Sequence, residues 1–133
     1  LGRMKVAVGC ACGLAYLHAQ SPPIVHRDVK PENFLVSASA DQVKVCDLGL
    51  ARGKHSEYLQ TERHGGTLVY IAPEVHRGQE FDEKCDVYAF SIMLWELATL
   101  RLPFEDKPPQ AVPGIVGWGG ERPSLEPLRG GPG

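Results

Sequence analysis

The feature that most constrains the fold is a pair of short runs, the apolar Phe34–Val36 and the alternating Val43–Val45, separated by the polar connection 37–42. Two such runs joined in this way predict a β-hairpin. The polar segment 26–33 (HRDVKPEN) directly precedes the first run, and an aspartate, Asp47, closely follows the second. An antiparallel pair places the start of its first strand beside the end of its second. The hairpin is therefore expected to bring these polar side chains to one edge of the fold.

The polar residues at this edge have the chemistry that phosphoryl transfer needs. That reaction depends on alignment of the acceptor hydroxyl and on neutralisation of phosphate charge, with little covalent chemistry. Asp28 can accept the hydroxyl proton, and Lys30 can place a positive charge on the transferring phosphate. Asn33 and Asp47 offer hard oxygen ligands, which suit Mg²⁺ better than zinc.

The segment 4–19 is predicted to form an α-helix, because apolar residues recur along it at spacings of four, four and three. The residues on this face are Val6, Cys10, Leu14 and Leu17. Gly9 and Gly13 weaken the helix locally, and we expect them to permit close packing against a neighbouring element. The prolines at 22 and 23 end it.

The strongest helical pattern lies at 85–99, where apolar residues cover most sides, as in buried helices. We expect this helix to be the central element of the fold. Its apolar stripe is predicted at Val87, Phe90, Leu94 and Leu97. The polar stretch 52–66 predicts a loop, 74–78 a short helical turn, and 123–133 a disordered tail rich in glycine and proline.

Composition limits the class of the protein. A chain of 133 residues with 43% hydrophobic residues can form one domain. The net charge of -2 gives no indication of a nucleic-acid partner, and no apolar stretch is long enough for a membrane span. The four cysteines lack a CxxC pair, so we interpret them as reduced thiols of a cytoplasmic protein.

Segments 26–33 and 66–74 (GTLVYIAPE) resemble the catalytic loop and the end of the activation segment of eukaryotic protein kinases, with Asp47-Leu48-Gly49 between them. The resemblance extends to about Arg122 and implies a partial kinase domain at 1–122. Its fold would be the α+β, mainly α-helical C-terminal lobe with a short catalytic-loop hairpin. Lys30 and Thr67 resemble the serine/threonine type, and segments 86–106 and 120–125 (GERPSL) resemble the tyrosine-kinase-like group.

The resemblance implies a role for each matching residue in transfer of the γ-phosphate of ATP to a protein hydroxyl. Asp28 would be the catalytic aspartate, and Lys30 would contact the γ-phosphate. Asn33 and Asp47 would hold Mg²⁺. Thr67 would bond near Asp28 and Lys30 and help to seat the acceptor.

The resemblance also implies the nucleotide contacts. The backbone of Glu32 would lie near the ribose, the side chain of Leu35 under the adenine, and Cys46 on the floor of the pocket. Asp86 has two interpretations: a cap of the helix that follows, or a bond to the backbone of the catalytic loop. Glu74 would pair with an arginine in the family, and this sequence lacks the matching residue.

Arg27, which precedes the catalytic aspartate, indicates control by phosphorylation of the activation loop. A phosphate there would give its guanidinium a bidentate anionic partner and order the loop. The candidate hydroxyls are those of Ser56, Tyr58 and Thr61.

The 133 residues contain no Gly-rich loop and no strand lysine with a partner glutamate, the parts of a kinase upper lobe. We therefore expect that lobe to lie elsewhere in a parent chain, and this chain alone to be inactive. One alternative is a pseudokinase-like interaction module, which the intact Asp28, Lys30, Asn33 and Asp47 disfavour. A small-molecule phosphotransferase ranks lowest, because Ala72-Pro73-Glu74 is a protein-substrate feature.

Overall fold

The computed structural model describes residues 1–48 and 68–130. In these ranges the chain is mainly α-helical with one two-stranded antiparallel sheet, which confirms the predicted fold class. The strands are β1 (Phe34–Val36) and β2 (Val43–Val45). The helices are α1 (Gly2–His18), α2 (Pro73–His76), α3 (Lys84–Thr99), α4 (Val112–Gly117) and α5 (Glu126–Arg129). Single 3-10 turns occupy Pro31–Asn33, Leu68–Tyr70 and Pro109–Ala111.

The predicted loop 52–66, with Ser56, Tyr58 and Thr61, lies outside the described residues, as does Thr67. The roles proposed for these four residues therefore stay predictions.

Helix α1 packs directly on the hairpin, whose register pairs Phe34 with Val45. The two glycines of α1 face the second strand. A β-carbon built on Gly9 would lie 2.5 Å from Val43 Cγ2, and one built on Gly13 would lie 2.5 Å from Val45 Cγ2. The expected close packing at these glycines is confirmed, since any side chain there would overlap the strand.

The core between α1, the hairpin and α3 matches one predicted helix face and contradicts the other. On α1, Cys10, Leu14 and Leu17 are buried, as predicted. On α3, the predicted stripe is wrong, because Val87 is 50% exposed and Leu94 is 38% exposed. The buried positions of α3 are instead Cys85, Asp86, Ala89, Ile92 and Met93. Apolar residues line more than one side of this helix, so their spacing did not identify the buried side.

The predicted disorder of 123–133 is wrong for residues 123–130. Helix α5 lies in this segment and contacts α3. The indole Nε1 of Trp95 donates a hydrogen bond of 2.7 Å to the carbonyl oxygen of Ser124. The contact with α3 explains how a segment rich in proline and glycine is ordered. Residues 131–133 lie outside the described part.

All four cysteines are free thiols. Burial raises the pKa of the Cys10 thiol, and burial together with the nearby Asp86 carboxylate raises the pKa of Cys85. Both thiols therefore stay protonated at neutral pH and pack as small apolar groups. Among the described helices, none combines the length and apolar character that crossing a bilayer requires.

The contact between α1 and the hairpin gives a first testable prediction. Gly13→Ala should lower the free energy of unfolding, because its overlap with Val45 costs about 1–3 kcal/mol. That cost exceeds the roughly 1 kcal/mol that alanine gains in a helix. Urea denaturation followed by circular dichroism measures the loss.

The matched control is Gly2→Ala, which meets no atom within 4 Å and should not destabilise the chain. Val45→Ala should partly relieve Gly13→Ala, since the β-carbon of Val45 lies 3.9 Å from the added methyl group. Purely additive effects in this double-mutant cycle would contradict the proposed overlap.

Candidate active site

The turn that carries the candidate catalytic aspartate is attached to the first turn of α3 by Asp86. This carboxylate is 1% exposed. Its Oδ2 accepts a hydrogen bond from the His26 amide at 2.7 Å, and its Oδ1 accepts one from the Arg27 amide at 2.9 Å. The bond from Asp86 to the catalytic loop is thus confirmed, and the carboxylate serves the loop instead of capping its own helix.

Arg27 occupies an unusual backbone conformation at the centre of this turn. Its φ of 74° lies in the left-handed region, which costs a residue other than glycine on the order of 1–2 kcal/mol. The two amide bonds to Asp86 offset that cost. The Arg27 side chain is buried, with its guanidinium carbon 5.1 Å from the centre of the Phe81 ring, a cation–π contact.

His26 links the catalytic turn to the segment that follows β2. Its Nδ1 accepts a hydrogen bond from the Asp28 amide at 3.1 Å, and its Nε2 lies 2.9 Å from the carbonyl oxygen of Cys46. An amide can only donate and a carbonyl can only accept, so the ring is neutral and carries its proton on Nε2. This fully buried imidazole has a structural role.

Three of the predicted site residues converge within the catalytic loop. The Asn33 side-chain amide donates to the Asp28 carbonyl oxygen at 2.6 Å and to Asp28 Oδ2 at 3.0 Å. The Lys30 Nζ lies 3.7 Å from Asp28 Oδ1. Asp28 and Asn33 are both buried, and the 3-10 turn Pro31–Asn33 places Asn33 between the loop and β1.

The hairpin places Asp47 at the same edge, as the strand argument predicted. The Cys46 amide donates to the Asn33 carbonyl oxygen at 2.9 Å, which continues the strand pairing by one step. Asp47 follows with a left-handed φ of 58° and an exposed side chain. The structure thus brings Asp28, Lys30, Asn33 and Asp47 to one edge.

The donor types at this edge, an amide oxygen and a carboxylate, are oxygen donors of the kind that Mg²⁺ prefers. Because the Asn33 amide nitrogen faces Asp28, its Oδ1 is turned away from that contact, and Asp47 adds a carboxylate. Within residues 1–48 and 68–130, no three His, Cys, Asp or Glu side chains converge as a metal site. Mg²⁺ commonly takes one or two protein ligands and completes its shell with phosphate and water.

Of the predicted nucleotide contacts, Leu35 lies on the outer side of the hairpin. Leu35 is 61% exposed and pairs across the sheet with Lys44. Glu32 is exposed, and Cys46 is half-buried beside the strand end. Since successive residues of a strand point to opposite faces, Phe34 enters the core while Leu35 is presented outward.

The sequence did not identify two contacts around this site. His18, the last residue of α1, places Nε2 2.9 Å from Asp86 Oδ2. The hydroxyl of Tyr70 donates to Glu96 Oε1 at 2.6 Å, which connects the segment before α2 to α3. Burial and the neighbouring Glu96 raise the pKa of Tyr70, so its hydroxyl stays protonated. Both pairs join residues far apart in sequence, which no local pattern reveals.

The sequence predicts that Glu74 lacks the arginine with which it would pair in the family, since Arg122 is not the matching residue. Among the described residues Glu74 is half-buried and forms no ion pair. Arg122 instead lies over the Tyr88 ring, 5.1 Å from its centre. Burial raises the pKa of the Tyr88 hydroxyl. The positive charge of Arg122 opposes this rise, and the negative charge of Glu74 adds to it.

A family model described as the protein kinase domain matches residues 3–114. The chain belongs to the protein kinase family. This membership confirms the resemblance to serine/threonine kinases of the tyrosine-kinase-like group, which the catalytic-loop and activation-segment motifs carried.

Two similar proteins come from Arabidopsis thaliana: the probable serine/threonine-protein kinase SIS8 and the serine/threonine-protein kinase CTR1. They are 48% and 47% identical to this kinase chain over 116 residues, or 87% of it. Mitogen-activated protein kinase kinase kinase 7 of Drosophila melanogaster is 43% identical over 103 residues, or 77% of the chain. The chain spans only 11%, 14% and 15% of the lengths of these three relatives.

The position of His26 gives a second prediction. His26→Phe keeps an aromatic ring but leaves the Asp28 amide and the Cys46 carbonyl without partners. Each unsatisfied buried group costs about 1–3 kcal/mol, so the free energy of unfolding measured by urea denaturation should fall by about 2–6 kcal/mol for the two groups. Tyr16→Phe, which removes a polar atom from an exposed ring, should change it by less than about 0.5 kcal/mol. If His26→Phe and Tyr16→Phe lowered the free energy of unfolding equally, the role of His26 in joining the catalytic turn to Cys46 would be contradicted.

Proposed function

We propose that this chain carries the catalytic residues of a serine/threonine protein kinase, which transfers the γ-phosphate of ATP to protein hydroxyls. The observation that carries the proposal is the Asp28 carboxylate, bonded to Asn33 at 3.0 Å and 3.7 Å from the Lys30 ammonium. This places a base, a cation and a metal-ligand amide within one loop. The intact set also favours catalysis over a pseudokinase-like role.

Asp28 accepts the proton of the acceptor hydroxyl as that oxygen attacks the γ-phosphorus, while the bond from this phosphorus to the β-phosphate oxygen breaks and ADP leaves. Its Oδ2 is occupied by Asn33, which fixes the rotation of the carboxylate. A positioned base of this kind contributes about 10²–10⁴-fold to the rate. Lys30 lies on the side of Oδ1 and places its charge where the transferring phosphate gains negative charge.

Asn33 and Asp47 would hold Mg²⁺, which when bound supplies positive charge to the phosphate oxygens. For ATP, we propose that the Glu32 backbone lies near the ribose, Leu35 against the adenine, and Cys46 on the floor. The outward, exposed position of Leu35 supports this, because an exposed leucine offers an apolar surface to a flat base.

The proposed regulation and substrate class depend on residues around the loop. Thr67 would seat a Ser or Thr acceptor of a protein substrate. Arg27 would bind a phosphate carried by Ser56, Tyr58 or Thr61, which would order the activation segment. We further propose a cytoplasmic location, where ATP and Mg²⁺ are available and the four thiols stay reduced.

The test is a phosphotransfer assay on the full-length gene product, with radiolabelled ATP and matched peptides that carry Ser, Thr or Tyr. Asp28→Asn should lower kcat by about 10²–10⁴-fold. Glu121→Gln, an equal charge change on the exposed surface, should leave kcat unchanged. Unchanged activity in Asp28→Asn, or preference for Tyr, would overturn the proposal.

Changing Ser56, Tyr58 and Thr61 together to Ala should lower the phosphotransfer rate of the full-length gene product, and an unaltered rate would refute the regulatory role.

The 133-residue chain by itself should bind Mg-ATP weakly. The contacts proposed here meet the nucleotide from the hairpin side, and the sequence contains no Gly-rich loop or strand lysine for the phosphates. Isothermal calorimetry should therefore give a dissociation constant in the millimolar range or weaker, with each tenfold loss of affinity equal to about 1.4 kcal/mol. Micromolar binding would contradict this expectation.

A further inference from the structure

A lysine lies in the middle of the outward face of the hairpin. Val43 and Val45 point toward α1, where their Cγ2 atoms approach the two glycines of that helix. Because successive residues of a strand point to opposite faces, Lys44 between them is turned away from α1. Lys44 is exposed, and within the described ranges no carboxylate forms an ion pair with it. Its side chain is therefore accessible to a ligand on the outward face.

The strand register places Lys44 directly beside a proposed nucleotide contact. Leu35 pairs with Lys44 across the sheet and is itself 61% exposed. The β-carbons of two residues paired in this way lie about 4.5–5.5 Å apart on the same face. The methylene stem of the lysine can therefore lie along the leucine side chain. Together the two side chains offer a flat ligand a wider apolar surface than Leu35 alone.

Lys44 also lies next to the other proposed contacts of this face. Cys46 follows it by two residues along the same strand direction, and the Cys46 amide donates to the Asn33 carbonyl oxygen at 2.9 Å. The hairpin thus has two neighbouring rows, Asn33 opposite Cys46 and Leu35 opposite Lys44. Three of these four positions belong to the proposed Mg²⁺ and ATP contacts, and Lys44 is the fourth.

We propose that Lys44 is a nucleotide-binding residue whose methylene stem packs against the adenine beside Leu35. The inference rests on the proposed kinase function, which places ATP on this face. Asn33 belongs to the metal and phosphate end, and the row of Lys44 lies two residues, or about 7 Å, farther along the strands. The stem covers part of the base, and the ammonium group stays in water at the edge of the base. This contact recognises the flat adenine and not the phosphate charge.

The test compares Lys44→Ala, which removes the stem, with Lys44→Met, which removes the charge and keeps an unbranched apolar side chain. Isothermal calorimetry measures the binding of adenosine and of Mg-ATP to the full-length gene product. Lys44→Ala should weaken both ligands by roughly three- to tenfold, because each buried methylene is worth about fourfold in affinity and only one side of the stem is covered. Lys44→Met should bind both nearly as tightly as the unmodified protein.

The matched control is Lys107→Ala, which truncates an exposed lysine in the loop after α3 and should change neither affinity. Equal binding by Lys44→Ala and the unmodified protein would overturn the proposal. A loss of Mg-ATP binding but not of adenosine binding in Lys44→Met would also overturn it, because that result indicates an ion pair between the ammonium group and a phosphate.

A measurement on the unmodified protein covers the case in which Lys44→Ala folds poorly. An amine-acetylating ester, with mass spectrometry of the tryptic peptides, should label Lys44 more slowly when adenosine saturates the protein. The rate at Lys107 should stay the same, and an equal rate at Lys44 with and without adenosine would refute the contact. If the protein binds adenosine and transfers phosphate while Lys44 does not respond, only this contact fails. If it binds neither adenosine nor Mg-ATP, the proposed kinase function fails with it.

Discussion

The buried carboxylate of Asp86 is the interaction on which the rest of the site depends. Removing such a charge from water costs several kcal/mol unless donors surround it. Four donors do so here: the His18 ring, the Cys85 thiol, and the amides of His26 and Arg27. They come from α1, α3 and the catalytic loop, so one carboxylate fixes the meeting point of three segments. Its role is architectural, because it holds the turn that carries the candidate catalytic residue Asp28.

Both ends of the site are built from strained backbone that hydrogen bonds stabilise. Arg27 and Asp47 each adopt a left-handed φ without being glycine. Strain of this kind persists where the surroundings fix the conformation, and it is common at functional sites. Here Asp86 fixes the first turn, and His26 connects it to Cys46, next to the second. The two turns therefore form one hydrogen-bonded unit, although they lie about twenty residues apart in sequence.

Local patterns predicted the parts of this structure that depend on short-range geometry. The order of polar and apolar runs was enough to place Asn33 and Asp47 at one edge, because antiparallel pairing puts the start of the first strand beside the end of the second. The glycines of α1 likewise indicated a close approach. The buried side of α3 and the order of 123–130 were missed, since both depend on which element packs nearby. His18 was missed for the same reason, because a histidine that ends a helix has many common roles.

The contact between α1 and β2 has a mechanical consequence. At Gly9 and Gly13 the helix backbone touches valine side chains with no side chain of its own between them. Interiors packed this closely have low compressibility and transmit displacement. A shift of α1 along its axis would carry the strand with it, and with the strand the carboxylate of Asp47. The helix and the hairpin thus form one rigid unit, and the position of α1 helps to set where the side chain of Asp47 lies.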